Sequence, residues 1–112
     1  MKQPHSEGIQ HWLKLIRAEG VGPTLFHRLI AHFGSVEQVL EASIQQLTRV
    51  EGIGDKTAQR IHGTRDNFDA DAELALADKH GVWIMHCKDS RYPAPLRAIY
   101  DPPPVLYMRG QL

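Results

Sequence analysis

Cysteine is almost missing from this chain. Cys87 stands alone among 112 residues, so no disulfide can form within the chain, and a reducing, cytoplasmic setting is expected. Net charge is missing too, because Lys+Arg 13 balances Asp+Glu 13. The overall basic field of a dedicated nucleic-acid-binding module is therefore absent. No apolar run approaches the length of a membrane span. The polar stretch from Met1 to Gln10 lacks the pattern of a signal peptide. What is present suffices for one small core: 42% of residues are hydrophobic, and the length fits one domain, or one domain plus a fragment of another.

The balanced charge is unevenly spread. Basic residues lead in the first 65 positions, through Lys2, Lys14, Arg17, Arg28, Arg49, Lys56, Arg60 and Arg65. Acidic residues then dominate 66–81, where Asp66, Asp69, Asp71, Glu73 and Asp78 face Lys79 alone. Any DNA-facing surface is expected away from that acidic segment, which reads most simply as a solvated face.

The chain is organised around Val50 to Ile61. Gly52, Ile53 and Gly54 form a turn between an apolar approach (Leu47, Val50) and a new helix (Thr57, Ala58, Ile61). Both glycines can take φ > 0, which permits a tight helix-to-helix turn. Ile53 is expected to anchor it in the core. The free N–H groups at the helix start, with the positive end of its dipole, make a phosphate site. These residues resemble a helix-hairpin-helix motif, a sequence-independent DNA-backbone binder, over Leu47–Ile61. Glu51 stands where related motifs often have proline, and Asp55 adds a second carboxylate nearby. The expected contacts are the backbone of Gly52, Gly54, Asp55 and Lys56, the neighbouring Thr57, and the charges of Lys56 and Arg60. A purely structural or protein-contacting hairpin is the alternative.

The same pattern occurs earlier. Glu19-Gly20-Val21-Gly22 matches Glu51-Gly52-Ile53-Gly54 thirty-two positions on. Two such units can bury against each other about a local two-fold axis, where one alone cannot. Gly20, Gly22 and Thr24 are the weaker site of the pair, because Pro23-Thr24 replaces Asp55-Lys56 and removes the charge.

Periodicity and caps predict the elements in order. Residues 1–6 are expected to fray. A helix spans Glu7–Ala18, and another starts at Pro23, which fits a first helical turn, and stops at Gly34. Ser35 with Gln38, and Ser43 with Gln46, read as capping boxes of two short helices. The helix after the Gly52 turn is expected to run to His62, with Gly63 as its C-terminal stop. A further helix is expected over Asp66–His80, closed by Gly81. Val82–Met85 and Val105–Met108 read as strands. Between them lie a polar loop, an extended segment or single helical turn at Tyr92–Leu96 with Leu96 and Ile99 turned inward, and a rigid Asp101–Pro104 run. Two strands alone are not stable in water, so they read as the start of an α/β domain. The expected division is a paired-hairpin domain at 1–65, an acidic helix at 66–81, and the first strands of a truncated Rossmann-like domain at 82–112.

The order of motifs carries a wider resemblance. The two Gly-turn segments are followed by Asp89, Tyr92, Pro93, Leu96, Ile99, Asp101, Pro102, Pro103, Val105, Leu106, Tyr107 and Gly110. Together they are similar to the N-terminal part of the DNA-processing protein A (DprA/Smf) family, with one proline extra at Pro104. The resemblance implies a mainly α, SAM-like paired-hairpin domain before a Rossmann-like one. It implies a non-enzymatic protein without cofactor that binds single-stranded DNA and loads the RecA recombinase in natural transformation, during competence. The main DNA site and dimer surface would lie in the Rossmann-like part, leaving this segment an auxiliary DNA-backbone or partner-binding module.

Rival chemistries fare worse. A hairpin glycosylase needs an aspartate where this chain has Leu74, and its base-flipping pocket exceeds what the chain can build. The seven histidines show no metal-ligand spacing: His27 and His32, and His80, His86 and Cys87, do not fit a site. A protein-interaction or self-association domain remains the alternative, favoured by the balanced charge and by Glu51 and Asp55.

Overall fold

The computed structural model describes residues 2–110. The fold is mainly α: α1 (Ile9–Ile16), α2 (Pro23–Phe33), α3 (Val36–Glu41), α4 (Ile44–Leu47), α5 (Asp55–Asn67) and α6 (Ala70–Lys79) precede β1 (Val82–His86), α7 (Ala94–Arg97) and β2 (Val105–Arg109). Among the described residues no helix is long and apolar enough to cross a membrane.

The thirty-two-residue repeat is a repeat of structure. Gly20 and Gly52 share the left-handed region, at φ 96 and φ 92. Gly22 and Gly54 share an extended one, at φ −99, ψ −173 and φ −93, ψ −179. Val21 N–H donates to Ala18 O and Ile53 N–H to Val50 O, each at 3.0 Å. The matched side chains Leu15 and Leu47, Val21 and Ile53, Phe26 and Ala58, and Leu29 and Ile61 are all buried. Each fully buried aliphatic or aromatic side chain contributes roughly 1.5–3 kcal/mol.

The two units clasp reciprocally. A Cβ on Gly20 would lie 3.2 Å from Thr57 Oγ1 and 3.8 Å from Arg60 Nη1, while one on Gly52 would lie 2.7 Å from Leu25 Cδ2 and 3.1 Å from Arg28 Nη1. Leu25 and Arg28 are the repeat counterparts of Thr57 and Arg60. Each glycine turn is thus packed against the helix that follows the other turn, which is the signature of a local dyad.

Two boundaries and one cap differ from expectation. Gly63 does not stop α5, which continues to Asn67. Contacts from its last turns hold it: His62 Nε2–H donates to Ala42 O at 2.8 Å and Arg65 Nη1–H to Leu40 O at 3.1 Å. The following helix starts at Ala70 rather than Asp66, because Asp69 caps it by accepting from Ala72 N–H at 3.0 Å. Asp66 and Asn67 close α5 instead. Ser43 and Gln46 form the full capping box, whereas Ser35 caps α3 without a reciprocal bond from Gln38.

The N-terminal stretch is docked, not frayed. Ser6 N–H donates to Ile84 O at 2.9 Å. Ile84 N–H donates to His5 Nδ1 at 2.9 Å, and His5 Nε2–H in turn meets Asp78 Oδ1 at 2.8 Å. Met1 lies outside the described residues.

The two strands pair with each other, antiparallel, with Ile84 opposite Tyr107. Trp83, Ile84 and Met85 are all buried, so β1 is covered on both faces. Packing on α1 and α6 supplies the cover. Three consecutive residues buried on a strand mean that side chains on both faces meet protein. The core is continuous from α1 to Tyr92.

The Asp101–Pro104 run is fixed through its carbonyls, the polar groups that proline retains. Pro102 O accepts from His27 Nε2–H at 2.7 Å. Pro103 O accepts from Tyr92 O–H at 2.8 Å, and Pro104 O from Cys87 N–H at 3.0 Å. Asp89 accepts from Arg91 Nη2–H at 2.7 Å and from Ser6 O–H at 2.5 Å. The Asp-Tyr-Pro-Pro signature is therefore a set of structural clamps. Ile99 departs from expectation. It is half exposed, because α7 ends at Arg97 and the chain turns outward before the proline run.

Candidate nucleic-acid interface

Gly54 occupies the N-cap of α5 and provides no side-chain hydrogen bond. A Cβ there would meet nothing within 4 Å, and its φ of −93 suits any residue. The expectation of φ > 0 at both glycines holds only for Gly52. Neither packing nor backbone strain explains Gly54. The chain places capping side chains on α3, α4 and α6, through Ser35, Ser43 and Asp69. It leaves α2 and α5 bare at Gly22 and Gly54.

The consequence is a cluster of open donors. Among the described residues none accepts from the N–H groups of Asp55, Lys56 or Thr57. All three point out of the first turn, where the helix carries its partial positive charge. Lys56 is exposed beside them, and among the described residues it makes no ion pair. Asp55 is exposed in the same turn, where the dipole favours it but its charge opposes an anion. Gly52 is exposed while Ile53 is buried beneath the turn, as expected.

The dyad redistributes the other candidates. Thr57 and Arg60 turn their side chains toward Gly20, in the first hairpin. Arg28 comes the other way and donates Nη1–H to Glu51 O at 2.9 Å, beside Gly52. The cation that crosses to the second turn is thus Arg28, which sequence reasoning missed. The repeat held the signal, since Arg28 is the counterpart of Arg60, and a two-fold axis exchanges the two.

The first hairpin is already engaged. Thr24 Oγ1–H donates to Asp101 Oδ2 at 2.8 Å, which brings a carboxylate of the same chain to the start of α2. Gly20 and Gly22 remain exposed. Of the two helix starts, the second is the more open to an external anion.

His5, His27, His62 and His86 serve the fold through hydrogen bonds to other parts of the chain. His86 stacks on Trp12 with centroids 4.4 Å apart and its Nε2–H donates to Glu7 O at 3.0 Å. Cys87 is buried, and burial pushes its thiol pKa up, which disfavours the reactive thiolate. Tyr107 links the strands to the helices by hydrogen bonds with Arg17 and Glu73. Burial, then the Glu73 bond, raises its pKa to about 12.

A family profile described as a SAM-like helix-hairpin-helix tandem matches residues 13–62, the span that holds both glycine turns. Protein Smf of Synechocystis is 36% identical over 102 residues, covering 91% of this chain and 26% of Smf. The chain thus spans about a quarter of that relative's length. A shorter stretch of 42 residues is 48% identical to UvrABC system protein C of Haloarcula marismortui, over 38% of this chain and 7% of that protein. The corresponding protein of Natronomonas pharaonis is 50% identical over 42 residues, again 38% of this chain and 7% of the relative. No solved structure matches. Over nearly its whole length, then, the chain is similar to Protein Smf, in line with the resemblance that its motifs carried.

Proposed function

We propose that this chain is a DNA-backbone-binding module of a DNA-processing protein, and that the second hairpin makes the contact. The observation that supports it is the bare N-cap at Gly54: open space, no capping side chain, and three unpartnered N–H groups beside an exposed Lys56. A phosphate oxygen would accept from the N–H groups of Asp55, Lys56 and Thr57, with Lys56 and Arg28 supplying charge. Contacts of this kind position a strand without reading its sequence. With few basic groups and two nearby carboxylates, the affinity is modest, and it falls with salt by the small number of phosphates contacted. The larger reading implied by the family is a protein that binds single-stranded DNA through a further, Rossmann-like part and delivers it to RecA in the cytoplasm. The 1–65, 66–81 and 82–112 divisions belong to that reading.

The test is a salt-dependent titration of this chain with labelled oligothymidine, beside Lys56→Ala. The expected result is binding at low salt, weakened in the variant, with a log–log salt slope shallower by about one phosphate contact. Wild-type affinity in Lys56→Ala would remove the hairpin from the mechanism. The second reading is a protein-docking or self-association module. The half-exposed Leu76, Ile99 and Tyr107 favour it. It predicts no oligonucleotide binding at low salt and concentration-dependent association in sedimentation.

A further inference from the structure

Tyr100 is the most exposed large hydrophobic side chain among the described residues, at 92% of its full surface. Among the described residues its hydroxyl makes no hydrogen bond and its ring stacks on nothing. An aromatic ring left in water has no role in folding. It stands over a cleft of about 440 Å³ lined by His27, Lys88, Arg97 and Asp101. That volume is within the range of small-ligand pockets. A smaller cleft of about 280 Å³ continues from it, past Tyr100, to Thr24 and Arg28.

Among the described residues the cations in this groove form no ion pair. The ion pairs among the described residues use His5, Arg17, Arg65 and Arg91. Arg97 instead donates to Asp89 O at 2.7 Å and Arg28 to Glu51 O at 2.9 Å, both backbone carbonyls. Lys88 is exposed. The charges of Arg97 and Arg28 are thus held in place by carbonyls, and no carboxylate pairs with them or with Lys88 among the described residues. One carboxylate, Asp101, faces the same groove and is held by Thr24.

Arg28 belongs to two places at once. It lines the groove, and its guanidinium lies against the Gly52 turn. The groove is therefore continuous with the second hairpin. A row of cations with one bare ring is the chemistry of a single-strand track: phosphates on the cations, a base on the aromatic face. A duplex offers no free base face to such a ring.

We propose that the cleft between α2 and α7 is a single-stranded nucleic-acid track, with Tyr100 as the stacking platform and Lys88, Arg97 and Arg28 as phosphate partners. The inference rests on the nucleic-acid reading above and shares Arg28 with it, but Tyr100, Lys88 and Arg97 belong to the track alone and Lys56 to the hairpin alone, so the two can fail separately. Tyr100→Ala is expected to fold as wild type, since the ring packs on nothing, and to lose roughly tenfold in affinity for oligothymidine. Tyr100→Phe should retain the wild-type affinity. An abasic strand of the same length, which keeps the phosphates and lacks the bases, should bind Tyr100→Ala and wild type equally. Arg97→Gln should weaken both strands and reduce the salt slope. Wild-type affinity in both Tyr100→Ala and Arg97→Gln, with Lys56→Ala impaired, would overturn the track and leave the hairpin. Impairment in Tyr100→Ala with none in Lys56→Ala would overturn the hairpin and leave the track. No binding by the wild-type chain would overturn both.

Discussion

Arg28 spans the local dyad to hold the turn that precedes the other helix. Its Nη1–H donates to the Glu51 carbonyl oxygen at 2.9 Å. Its repeat counterpart, Arg60, lies beside Gly20, but among the described residues its guanidinium donates to no acceptor. The symmetry is thus broken at one bond. Arg28→Ala is expected to destabilise the fold by about 0.5–1.5 kcal/mol, the worth of such a hydrogen bond, read as a shift of the urea midpoint. Arg60→Ala should shift it less. Equal shifts would show that the bond contributes nothing beyond the packing of each side-chain stem.

Two glycines separated by one residue should respond oppositely to the same substitution. Gly52 sits at φ 92, with Leu25 Cδ2 2.7 Å from the place of a Cβ. Leu25 can yield, but the backbone cannot, and a non-glycine residue there costs roughly 1–3 kcal/mol. Gly54 is extended and faces open space. Gly54→Ser would add a cap to α5 and raise stability by a few tenths of a kcal/mol, about the difference between Ser and Gly caps. The same serine would compete with phosphate for the first-turn N–H groups, so oligonucleotide affinity should fall while stability rises. Thermal unfolding and anisotropy on one preparation check both signs. A Gly54→Ser protein that binds as well as wild type would show that those N–H groups meet no strand.

Repetition made the helical clasp legible, and local chemistry made most of the caps legible. The Gly20 and Gly52 turns, the buried Ile53, the cap at Ser43 and the helix start at Pro23 followed from residue types whose conformational demands are local. Failures fell where tertiary contacts overrode a local signal. Gly63 signals a stop, yet His62 and Arg65 tie α5 to carbonyls of α3 and its C-cap, and the helix continues. Nothing in the composition of residues 3–6 announces that His5 and Ser6 will pair with β1. Arg28 was missed as a site residue because its crossing follows from the dyad that the repeat implied, not from its sequence neighbours.

The Tyr92 clamp tests how far the proline run depends on one hydroxyl. Tyr92 is buried, and its O–H donates to Pro103 O at 2.8 Å. Burial also pushes its pKa up. Tyr92→Phe keeps the ring and strands the carbonyl, with an expected loss of about 1–3 kcal/mol. Amide exchange at Cys87, whose N–H donates to the adjacent Pro104 O, should quicken as the run loosens. Unchanged exchange would place the restraint in Cys87 and His27 alone.

Acid should loosen the chain first where its N-terminal stretch meets the β1–α7 loop. Arg91 holds the Asp89 carboxyl well below the usual carboxylate range, and the Ser6 hydrogen bond adds to the effect. The folded pKa therefore lies below the unfolded value of about 3.9. Stability from this carboxylate is fully present above that value and is lost as pH falls through the folded pKa. Asp78 shifts the same way, mainly through the Gln3 N–H bond, with His5 assisting, so both acids tie the N-terminal stretch down. Asp89→Asn should be less stable than wild type near neutral pH, because the amide cannot match the bidentate pairing with Arg91. The gap should narrow below about pH 4, where the Asp89 carboxyl of the unfolded chain begins to protonate while that of the folded chain stays ionised. Denaturant midpoints of the two proteins across that range decide it. A gap that stays constant on acidification would mean that Asp89 contributes through shape and hydrogen bonding alone, with its charge irrelevant to stability.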